Sequence, residues 1–362
     1  MTRSPTAAPY AVIMAGGSGT RFWPRSRTDR PKQLLNITGD EILLKKVVEL
    51  ITPIIPPQRI RIVTTRSQAG TVRRIVPEIA ARGIIAEPFG RNTAPAIGIS
   101  ALYVERDHPE GVMVVLPADH YIEDHDVFRR TIRAAVDKAS QGSCIVTIGI
   151  APRGPDTGYG YIEAGTVVNK NGAIYTVKSF HEKPDQARAR DFIERGNFFW
   201  NSGMFIAKAS VMLGEIEEHL PRNHELLMNI GSSLGTDDEQ RAIEEAYGKM
   251  EAISIDYGVI EKSRNVIMVE GSFGWDDVGS WPSAARYWPR DSKDNAHIGE
   301  VINLDSSRCI VHSPIKPVAL LGVEDLIIVE EDDVLLVCRT ERSQDVRRLV
   351  ELLRARGRDD IL

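Results

Sequence analysis

The chain has 362 residues, of which 42% are hydrophobic and 26% are charged, and its 45 basic and 50 acidic residues give a formal net charge of −5. That length predicts one large α/β domain and a smaller second domain. The mildly acidic balance argues against nucleic acid or an anionic membrane as the main partner. An anionic substrate would therefore need a local cluster of basic residues.

Cysteine content and apolar runs bear on the compartment. Cys144, Cys309 and Cys338 are too few and too widely spaced for a disulfide framework or a zinc site, so we expect free thiols in a reducing cytosol. The first ten residues lack the apolar core of a signal peptide, and no apolar run approaches the ~18 residues that span a bilayer. These features predict a cytoplasmic protein.

Short apolar runs alternate with helical patterns along the first 150 residues. Runs rich in Val and Ile and bounded by Gly, Pro or Asp are typical of strands buried on both faces of a sheet. Their alternation with helices predicts an α/β fold with a Rossmann-like mixed sheet, mostly parallel and flanked by helices. Ligands of such sheets bind beyond the carboxyl ends of the strands. The predicted strands cover residues 11–14, 61–64, 83–86, 112–116 and 144–150, and the predicted helices cover 43–51, 68–81, 94–107 and 127–139.

The pattern changes in the second half of the chain. An inserted sheet is predicted at 161–163 and 173–180, and residues 211–250 are largely helical by pattern. Near the C-terminus, five short strands follow one another closely, separated by turn residues, and a final helix closes the segment. We therefore divide the chain into a large domain at 1–290 and a small C-terminal β domain at 291–362.

A glycine-rich loop follows the first predicted strand. Residues 14–24 have the sequence MAGGSGTRFWP, and Lys32 follows in the sequence RPKQL. Glycines let backbone N–H groups approach phosphate oxygens closely, and Arg21 and Lys32 supply positive charge. The loop is not a Walker A motif, since no Gly-Lys-Ser/Thr sequence ends it, and Phe22 occupies the place of the third Rossmann glycine. The alternative is a plain tight turn with solvated basic side chains.

Carboxylates follow two other segments. Asp119 ends the most apolar predicted strand in the sequence LPADH, where a carboxylate is well placed to hold a metal ion that bridges phosphates. Asp276 and Asp277 lie side by side in the sequence GSFGWDDVGSW of residues 271–281. The alternatives are a helix cap or turn residue for Asp119 and a capped turn packed by tryptophans for the adjacent pair.

In this order, the motifs resemble those of the nucleotidyltransferases that activate sugar 1-phosphates. The sequence FWPRSR at 22–27 is similar to the mannose-1-phosphate guanylyltransferase branch of that family, as is the EPFGRNTAPA loop at 87–96, which would contact the base. The resemblance implies that the glycine-rich loop wraps a nucleoside triphosphate. For the EPFGRNTAPA loop, the alternative role is to cap the helix that follows it. The residues implied to bind the nucleotide are Ala15, Gly16, Gly17, Gly19, Thr20, Arg21, Asn92, Thr93, Ala118 and Asp119.

The resemblance also implies a metal ion and a catalytic set. Asp119 and Asp277 would hold Mg²⁺, with Asp276 as the alternative second ligand, because carboxylate oxygens suit this hard cation. Arg21 and Lys32 would neutralise charge on the phosphates. These two basic residues and the two metal ligands form the implied catalytic group within the large domain.

Four further motifs resemble the sugar-binding segments of the family. They are TGYGYI at 157–162, FHEKP at 180–184, WNSGMF at 200–205 and SIDYGVIEK at 254–262. The family usually has Val where this chain has His181, so we expect that side chain to point away from the ligand. A hairpin turn is the alternative for the first motif, and an exposed Glu–Lys ion pair is the alternative for the second. The residues implied to bind the sugar phosphate are Gly160, Glu182, Lys183, Asn201 and Asp256.

The resemblance implies one reaction, in which GTP and mannose 1-phosphate give GDP-mannose and diphosphate, catalysed by a homodimer with Mg²⁺. Relatives often carry a short left-handed β-helix at the C-terminus. Some continue into a cupin-type phosphomannose isomerase domain, which we expect to be absent because the sequence ends at Leu362. The alternatives are a sister enzyme with another base or sugar, such as a glucose-1-phosphate thymidylyltransferase, and a non-catalytic relative that senses nucleotide sugars. The broken glycine fingerprint disfavours a dinucleotide oxidoreductase.

Overall fold

The computed structural model describes residues 9–17, 19–169 and 173–362, which form two compact units that interleave along the sequence. Unit 1 comprises the described residues up to Gly16 together with the unbroken segment 48–118 and most of 122–275. Unit 2 comprises residues 17–47, 119–121 and 276–362, of which Ser18 in the glycine-rich loop lies outside the described residues. The predicted domain boundary at residue 290 stays a prediction. The two units are a different division, because each combines segments that are separate in the sequence.

Unit 1 contains the main sheet and most of the helices. Its strands are β1 (Pro9–Met14), β2 (Ile60–Thr65), β3 (Ile84–Glu87), β4 (Val112–Pro117), β6 (Ile145–Ile150), β7 (Tyr161–Asn169), β8 (Ile174–His181), β9 (Phe198–Lys208) and β10 (Val266–Gly271). Its helices are α2 (Arg66–Ile75), α3 (Thr93–Asp107), α4 (His125–Ser140), α5 (Gln186–Arg195), α6 (Ala209–His219), α7 (Pro221–Ser233) and α8 (Glu239–Lys249). A π-helical turn spans Asp256–Ile260.

The nine strands form one mixed sheet in the order β3-β2-β1-β4-β9-β6-β10-β8-β7. Within this sheet β8 and β9 run opposite to the other strands. The first four strands pair in parallel, which sets Ile13 of β1 between Ile62 of β2 and Leu116 of β4. These three residues are buried, as expected for a parallel sheet covered on both faces. The predicted α/β fold with a mixed, mostly parallel sheet is confirmed.

Two helices of unit 1 illustrate how the sequence sets their positions. Helix α3 is buried without interruption from Ala94 to Leu102, because small and apolar residues occupy all of its sides. Helix α2 ends at Ile75 rather than at residue 81 as the pattern predicted. The prediction overlooked Pro77, since proline disfavours helical geometry in the residue before it and cannot donate a helical hydrogen bond.

Unit 2 contains the C-terminal strands and the last helix. Its elements are α9 (Trp281–Ala284), β12 (Ala296–Ile298), β13 (Val301–Leu304), β14 (Ile310–His312), β15 (Val318–Leu321), β16 (Leu326–Glu330), β17 (Leu335–Arg339) and α10 (Val346–Ala355). The chain passes from one unit to the other within α1 (Leu43–Ile51), β5 (Tyr121–Ile122) and β11 (Trp275–Asp276).

Alternate strands of unit 2 pair in parallel. β12, β14 and β16 pair in that order, with β17 antiparallel to β16, and β13 pairs with β15 in a separate sheet. Partners lie seventeen residues apart in both Ile310↔Ile327 and Val301↔Val318. This repeat is that of a short coil of stacked strands. The predicted C-terminal β domain is therefore confirmed, and the left-handed sense of the coil stays a prediction.

The core of unit 2 joins its N-terminal segment to its C-terminal end. Phe22 and Trp281 are buried, with ring centroids 5.1 Å apart, and the same core includes Val350 of α10. The indole N–H of Trp23 donates to the carbonyl oxygen of Ile361 at 2.7 Å. The glycine-rich loop and the last residues of the chain are thus held in one packed unit.

An apolar strip is exposed on the pair β13–β15, and we call it the outer strip. Ile302, Leu304 and Leu321 form it, with exposed fractions of 57%, 60% and 70%. Alternate residues of a strand share one face, and Leu304 lies opposite Leu321 in the register, so the three side chains lie together.

Two expectations concern the whole chain. The three cysteines are free thiols, as the sequence predicts. Among the helices within the described ranges, none combines the length and the apolar character needed to cross a bilayer.

Candidate active site

Unit 2 contains a cleft of about 450 Å³ beside the glycine-rich loop. The predicted catalytic residues Arg21, Lys32, Asp119 and Asp277 all line it, although they come from three separate segments of the chain. The full lining consists of Gly19, Thr20, Arg21, Phe22, Lys32, Asp119, His120, Asp277, Gly279, Arg347, Val350, Glu351 and Arg354.

Lys32 lies on the wall of this cleft, with only 6% of its side chain exposed. Its ammonium group donates to the Asp119 Oδ2 atom at 2.8 Å and to the Asp277 carbonyl oxygen at 2.7 Å. Gly19 packs directly against Lys32 with a positive φ of 57°, and a Cβ atom there would overlap the lysine side chain. Glycine is therefore required at position 19 both for its backbone conformation and for the close approach of Lys32.

Lys32 also determines the charge of its neighbour Asp119. Burial alone would favour the protonated carboxyl group, but the Lys32 ammonium, the neighbouring His120 and hydrogen bonds together outweigh burial and lower the pKa of Asp119. Burial lowers the pKa of the neighbouring His120, against the attraction of nearby carboxylates. At neutral pH the cleft therefore contains an ionised Asp119 and a neutral His120.

The adjacent carboxylates Asp276 and Asp277 have different surroundings. Asp276 is 2% exposed, pairs with the Arg286 guanidinium at 2.7 Å and accepts the Val278 N–H. Asp277 is half-buried on the cleft wall, and its Oδ1 atom accepts the Gly279 N–H at 3.0 Å. Of the two aspartates left open by the sequence, Asp277 is the one that lines the cleft.

The glycine-rich loop forms a further part of the cleft wall. Thr20 and Arg21 lie in a 3₁₀ turn, Thr20–Phe22, and the exposed Arg21 guanidinium donates to the Gly279 carbonyl oxygen at 3.3 Å. Gly17 has a positive φ of 99° and accepts a hydrogen bond from the Gln33 amide at 3.4 Å.

Unit 1 contains a second cluster, which brings together the five residues predicted to bind the sugar phosphate. The Lys183 ammonium lies 2.6 Å from Glu182 Oε1, and the Asn201 amide donates to Asp256 Oδ1 at 3.0 Å. The backbone N–H of Asn201 donates to the Gly160 carbonyl oxygen at 2.8 Å. A side chain at position 160 would overlap the Glu182 carboxylate, so glycine leaves room for that group.

Asp256 is the most perturbed group of this cluster. Burial, and after it the nearby Glu182 carboxylate, raises the pKa of Asp256 to about 6. The residue begins the π-helical turn Asp256–Ile260, and such turns occur frequently at functional sites. His181 is engaged elsewhere, because its ring stacks on Phe192 with centroids 5.1 Å apart.

Asn92 caps helix α3, and Thr93 is the first residue of that helix. The Asn92 side chain accepts the Thr93 N–H at 2.9 Å, and Asn92 itself has a positive φ of 67°. The Thr93 hydroxyl accepts the Ile255 N–H at 2.8 Å, so it is used to fix the segment that leads to Asp256. The other predicted nucleotide contacts in unit 1, Ala15, Gly16 and Ala118, follow the ends of β1 and β4.

The motifs did not identify the contribution of helix α10 to the cleft. Arg347, Val350, Glu351 and Arg354 follow a spacing of three, four and seven residues, which places them on one face of the helix. That spacing is visible in the sequence, but it is equally typical of a solvated helix face. The spacing alone therefore could not show that this face of the helix lines a cleft.

Known proteins resemble the chain over almost its whole length. The family described as Nucleotidyl transferase matches residues 10–292, and the family described as MannoseP isomerase/GMP-like beta-helix domain matches residues 299–353. The alginate biosynthesis protein AlgA of Pseudomonas aeruginosa is 37% identical over 352 residues, which cover 96% of this chain and 73% of that protein. The mannose-1-phosphate guanylyltransferase of Escherichia coli is 36% identical over 353 residues, which cover 96% and 74%.

A solved structure extends the similarity to three dimensions. The crystal structure described as mannose-1-phosphate geranyltransferase from Thermus thermophilus matches with a TM-score of 0.86 and 35% identity, over 96% of this chain and 99% of that one. Its fold thus includes both the α/β sheet and the C-terminal β-rich segment. The family resemblance found in the motifs is confirmed, and the chain belongs to the nucleotidyl transferase family as a nucleotidyltransferase enzyme.

Proposed function

We propose that the protein is a Mg²⁺-dependent mannose-1-phosphate guanylyltransferase, which converts GTP and α-D-mannose 1-phosphate into GDP-mannose and diphosphate. The observation that carries this proposal is the cleft of unit 2, where Lys32 bridges the Asp119 carboxylate and the Asp277 carbonyl oxygen beside the glycine-rich loop. The choice of base and sugar rests on the names of relatives such as the Escherichia coli protein.

In the proposed reaction, a phosphate oxygen of mannose 1-phosphate attacks the α-phosphorus of GTP. A new P–O bond forms, the bond from the α-phosphorus to the bridging oxygen breaks, and diphosphate leaves with the electron pair. The attacking phosphate is already ionised at neutral pH, so no general base is required. Catalysis then depends on alignment and on neutralising charge, to which Lys32 and Arg21 contribute.

The residues of the cleft fit a magnesium ion. Asp119 and Asp277 offer the carboxylate oxygens that Mg²⁺ prefers, and Asp119 already holds a cationic group, the Lys32 ammonium at 2.8 Å. Bound to these two aspartates, Mg²⁺ would neutralise phosphate oxygens and act as a Lewis acid. Lys32 would then stabilise the negative charge of the triphosphate from the cleft wall.

The cluster of unit 1 suits the sugar phosphate. Lys183 offers an ammonium group to the phosphate, while Glu182, Asn201 and Asp256 offer acceptors and a donor to sugar hydroxyls. Asn201 is held from several sides, because its Oδ1 atom also accepts the Thr147 hydroxyl and the Gly203 N–H. A rigid acceptor set of this kind favours one arrangement of hydroxyls over another.

The proposal is tested by measuring diphosphate release from purified protein and Mg²⁺. Each of the four nucleoside triphosphates is combined with mannose, glucose or N-acetylglucosamine 1-phosphate. We expect the highest turnover with GTP and mannose 1-phosphate. A maximum elsewhere, such as dTTP with glucose 1-phosphate, would reject the base or sugar assignment. If folded protein releases no diphosphate in any combination, the result would favour a non-catalytic relative that senses nucleotide sugars.

Removing either member of the Lys32–Asp119 ion pair should abolish most activity. We expect Lys32→Ala and Asp119→Ala to lower kcat/KM on the order of 10²–10³-fold, the usual cost of deleting one group that stabilises transition-state charge. Initial rates of diphosphate release measure the effect, and circular dichroism reports whether each variant is folded.

The control for these variants is Lys45→Ala. Lys45 is a lysine of α1 whose side chain is 44% exposed; it lies 4.0 Å from Glu41, outside the cleft lining. Its removal should leave kcat/KM within about twofold of the wild type, since exposed ion pairs contribute little. Wild-type turnover of Lys32→Ala or Asp119→Ala would contradict the assignment of the cleft.

The two adjacent aspartates should differ in their effect on magnesium dependence. We expect Asp277→Asn to raise the Mg²⁺ concentration for half-maximal rate by at least about tenfold. Even the mutation of residues that only hydrogen-bond to metal ligands typically lowers metal affinity by that factor. Asp276→Asn should leave this concentration unchanged and lower the melting temperature instead, since it weakens the buried partner of Arg286. The opposite pattern would assign the ligand role to Asp276.

We further propose that the outer strip is buried between two copies of the chain in a homodimer. Ile302, Leu304 and Leu321 expose contiguous apolar surface, which single soluble chains tend to avoid. Sedimentation should therefore give a dimer for the wild type and a monomer for Leu304→Glu. The control is Leu335→Glu, at an exposed leucine of β17 in the other sheet, which should remain dimeric. A dimeric Leu304→Glu variant would exclude the outer strip as the interface.

A further inference from the structure

We infer that Arg347 and Arg354 of helix α10 bind the terminal phosphates of the nucleoside triphosphate, which leave as diphosphate. The inference rests on the proposed function for the identity of the ligand. Its structural basis is that this helix of the C-terminal segment forms one side of the cleft that contains Lys32 and Asp119. Helix α10 would thereby be part of the substrate-binding site.

The two arginines share a face of the helix with Val350. Residues 347, 350, 351 and 354 follow the spacing that aligns side chains along one side of an α-helix, and all four line the cleft. The two arginines are about two turns apart, roughly 10 Å along the axis. Arginine side chains are long enough to converge from both positions on one diphosphate group.

The packing of unit 2 fixes α10 against the glycine-rich loop. Val350 belongs to the same buried core as Phe22, and both residues line the cleft. Beyond the helix, the Trp23 indole donates to the Ile361 carbonyl oxygen, and the Thr28 N–H donates to the Leu362 carbonyl oxygen. The arginines are therefore presented by a helix held on both sides rather than by a loose C-terminal tail.

Helix α10 adds positive charge to that of Arg21 and Lys32 in the cleft. The Lys32 ammonium lies 2.8 Å from Asp119, and Arg347 Nε lies 3.0 Å from Glu351 Oε1 on the helix itself. The Arg354 guanidinium has no hydrogen-bond or ion-pair partner among the residues that the structure describes. A triphosphate carries about four negative charges near neutral pH, so an unpaired guanidinium on the wall favours its binding.

Exposure indicates which phosphates the arginines reach. The Lys32 side chain is 6% exposed, whereas Arg347 is 68% exposed. Arg354 is exposed as well. With the reacting α-phosphate beside Lys32, the β- and γ-phosphates extend toward the more exposed arginines. Guanidinium groups suit this position, because they form paired hydrogen bonds with phosphate oxygens.

The test compares Arg347→Gln, Arg354→Gln and the double variant with Arg348→Gln. Arg348 is a matched control, since it lies on the same helix, is 76% exposed and does not line the cleft. Inorganic diphosphate with Mg²⁺ is titrated into each protein by calorimetry. Steady-state kinetics then give KM for GTP, for mannose 1-phosphate, and for diphosphate in the reverse reaction.

We expect each cleft variant to bind diphosphate about tenfold more weakly, as is typical of losing one hydrogen bond to a charged group, and the double variant more weakly still. KM for GTP and for diphosphate should rise in parallel. KM for mannose 1-phosphate and the affinity for GDP-mannose, which contains neither of the two phosphates that leave as diphosphate, should stay within about twofold of the wild type. Arg348→Gln should match the wild type.

The outcomes separate this inference from the proposed function. Wild-type diphosphate affinity in the double variant would overturn the inference even if the enzyme makes GDP-mannose. An equal loss in Arg348→Gln would also overturn it, because the effect would then reflect the general charge of the helix. If the wild type shows no turnover but binds diphosphate, and the double variant does not bind it, the role of α10 stands and the proposed function fails.

Discussion

The buried ammonium group of Lys32 is the constraint on which the candidate active site depends. Taking such a charge out of water costs several kcal/mol unless charged and polar partners compensate it. Here the partners are Asp119, 87 positions away in the sequence, and the carbonyl oxygen of Asp277, 245 positions away. Gly19 closes on the same side chain with no room for a Cβ atom. One lysine thus fixes three distant segments, and it keeps Asp119 ionised and able to hold a cation.

The segment that contains Lys32 is also tied to the C-terminal strands of unit 2. Arg25 lies 3.2 Å from Glu331, Arg27 lies 2.7 Å from Asp333, and Arg30 also pairs with Glu331. Part of the FWPRSR sequence therefore has a structural role, because its two arginines pair with the β16–β17 turn. This explains why unit 2 combines residues from both ends of the chain.

The sequence predicted most strands and helices within a few residues, because continuous apolar runs and buried helices leave strong local patterns. It failed at the end of α2, where Pro77 outweighed the pattern. Only the family resemblance predicted that Lys32 and Asp119 share one site, since no local sequence pattern links positions so far apart. The sequence prediction missed Arg354, because an arginine on the polar face of an amphipathic helix has the same pattern whether it faces water or a cleft. Tertiary packing supplies what the pattern lacks.

The adjacent pair Asp276 and Asp277 illustrates what packing adds. Their sequence neighbourhoods are nearly identical, yet successive side chains of an extended segment point to opposite sides. One carboxylate is turned into unit 2, where Arg286 and the Val278 N–H hold it, and the other is turned to the cleft. The buried aspartate fixes the backbone whose next carbonyl accepts Lys32. The two adjacent carboxylates thus have different surroundings, because the first holds the loop in place and the second lines the cleft.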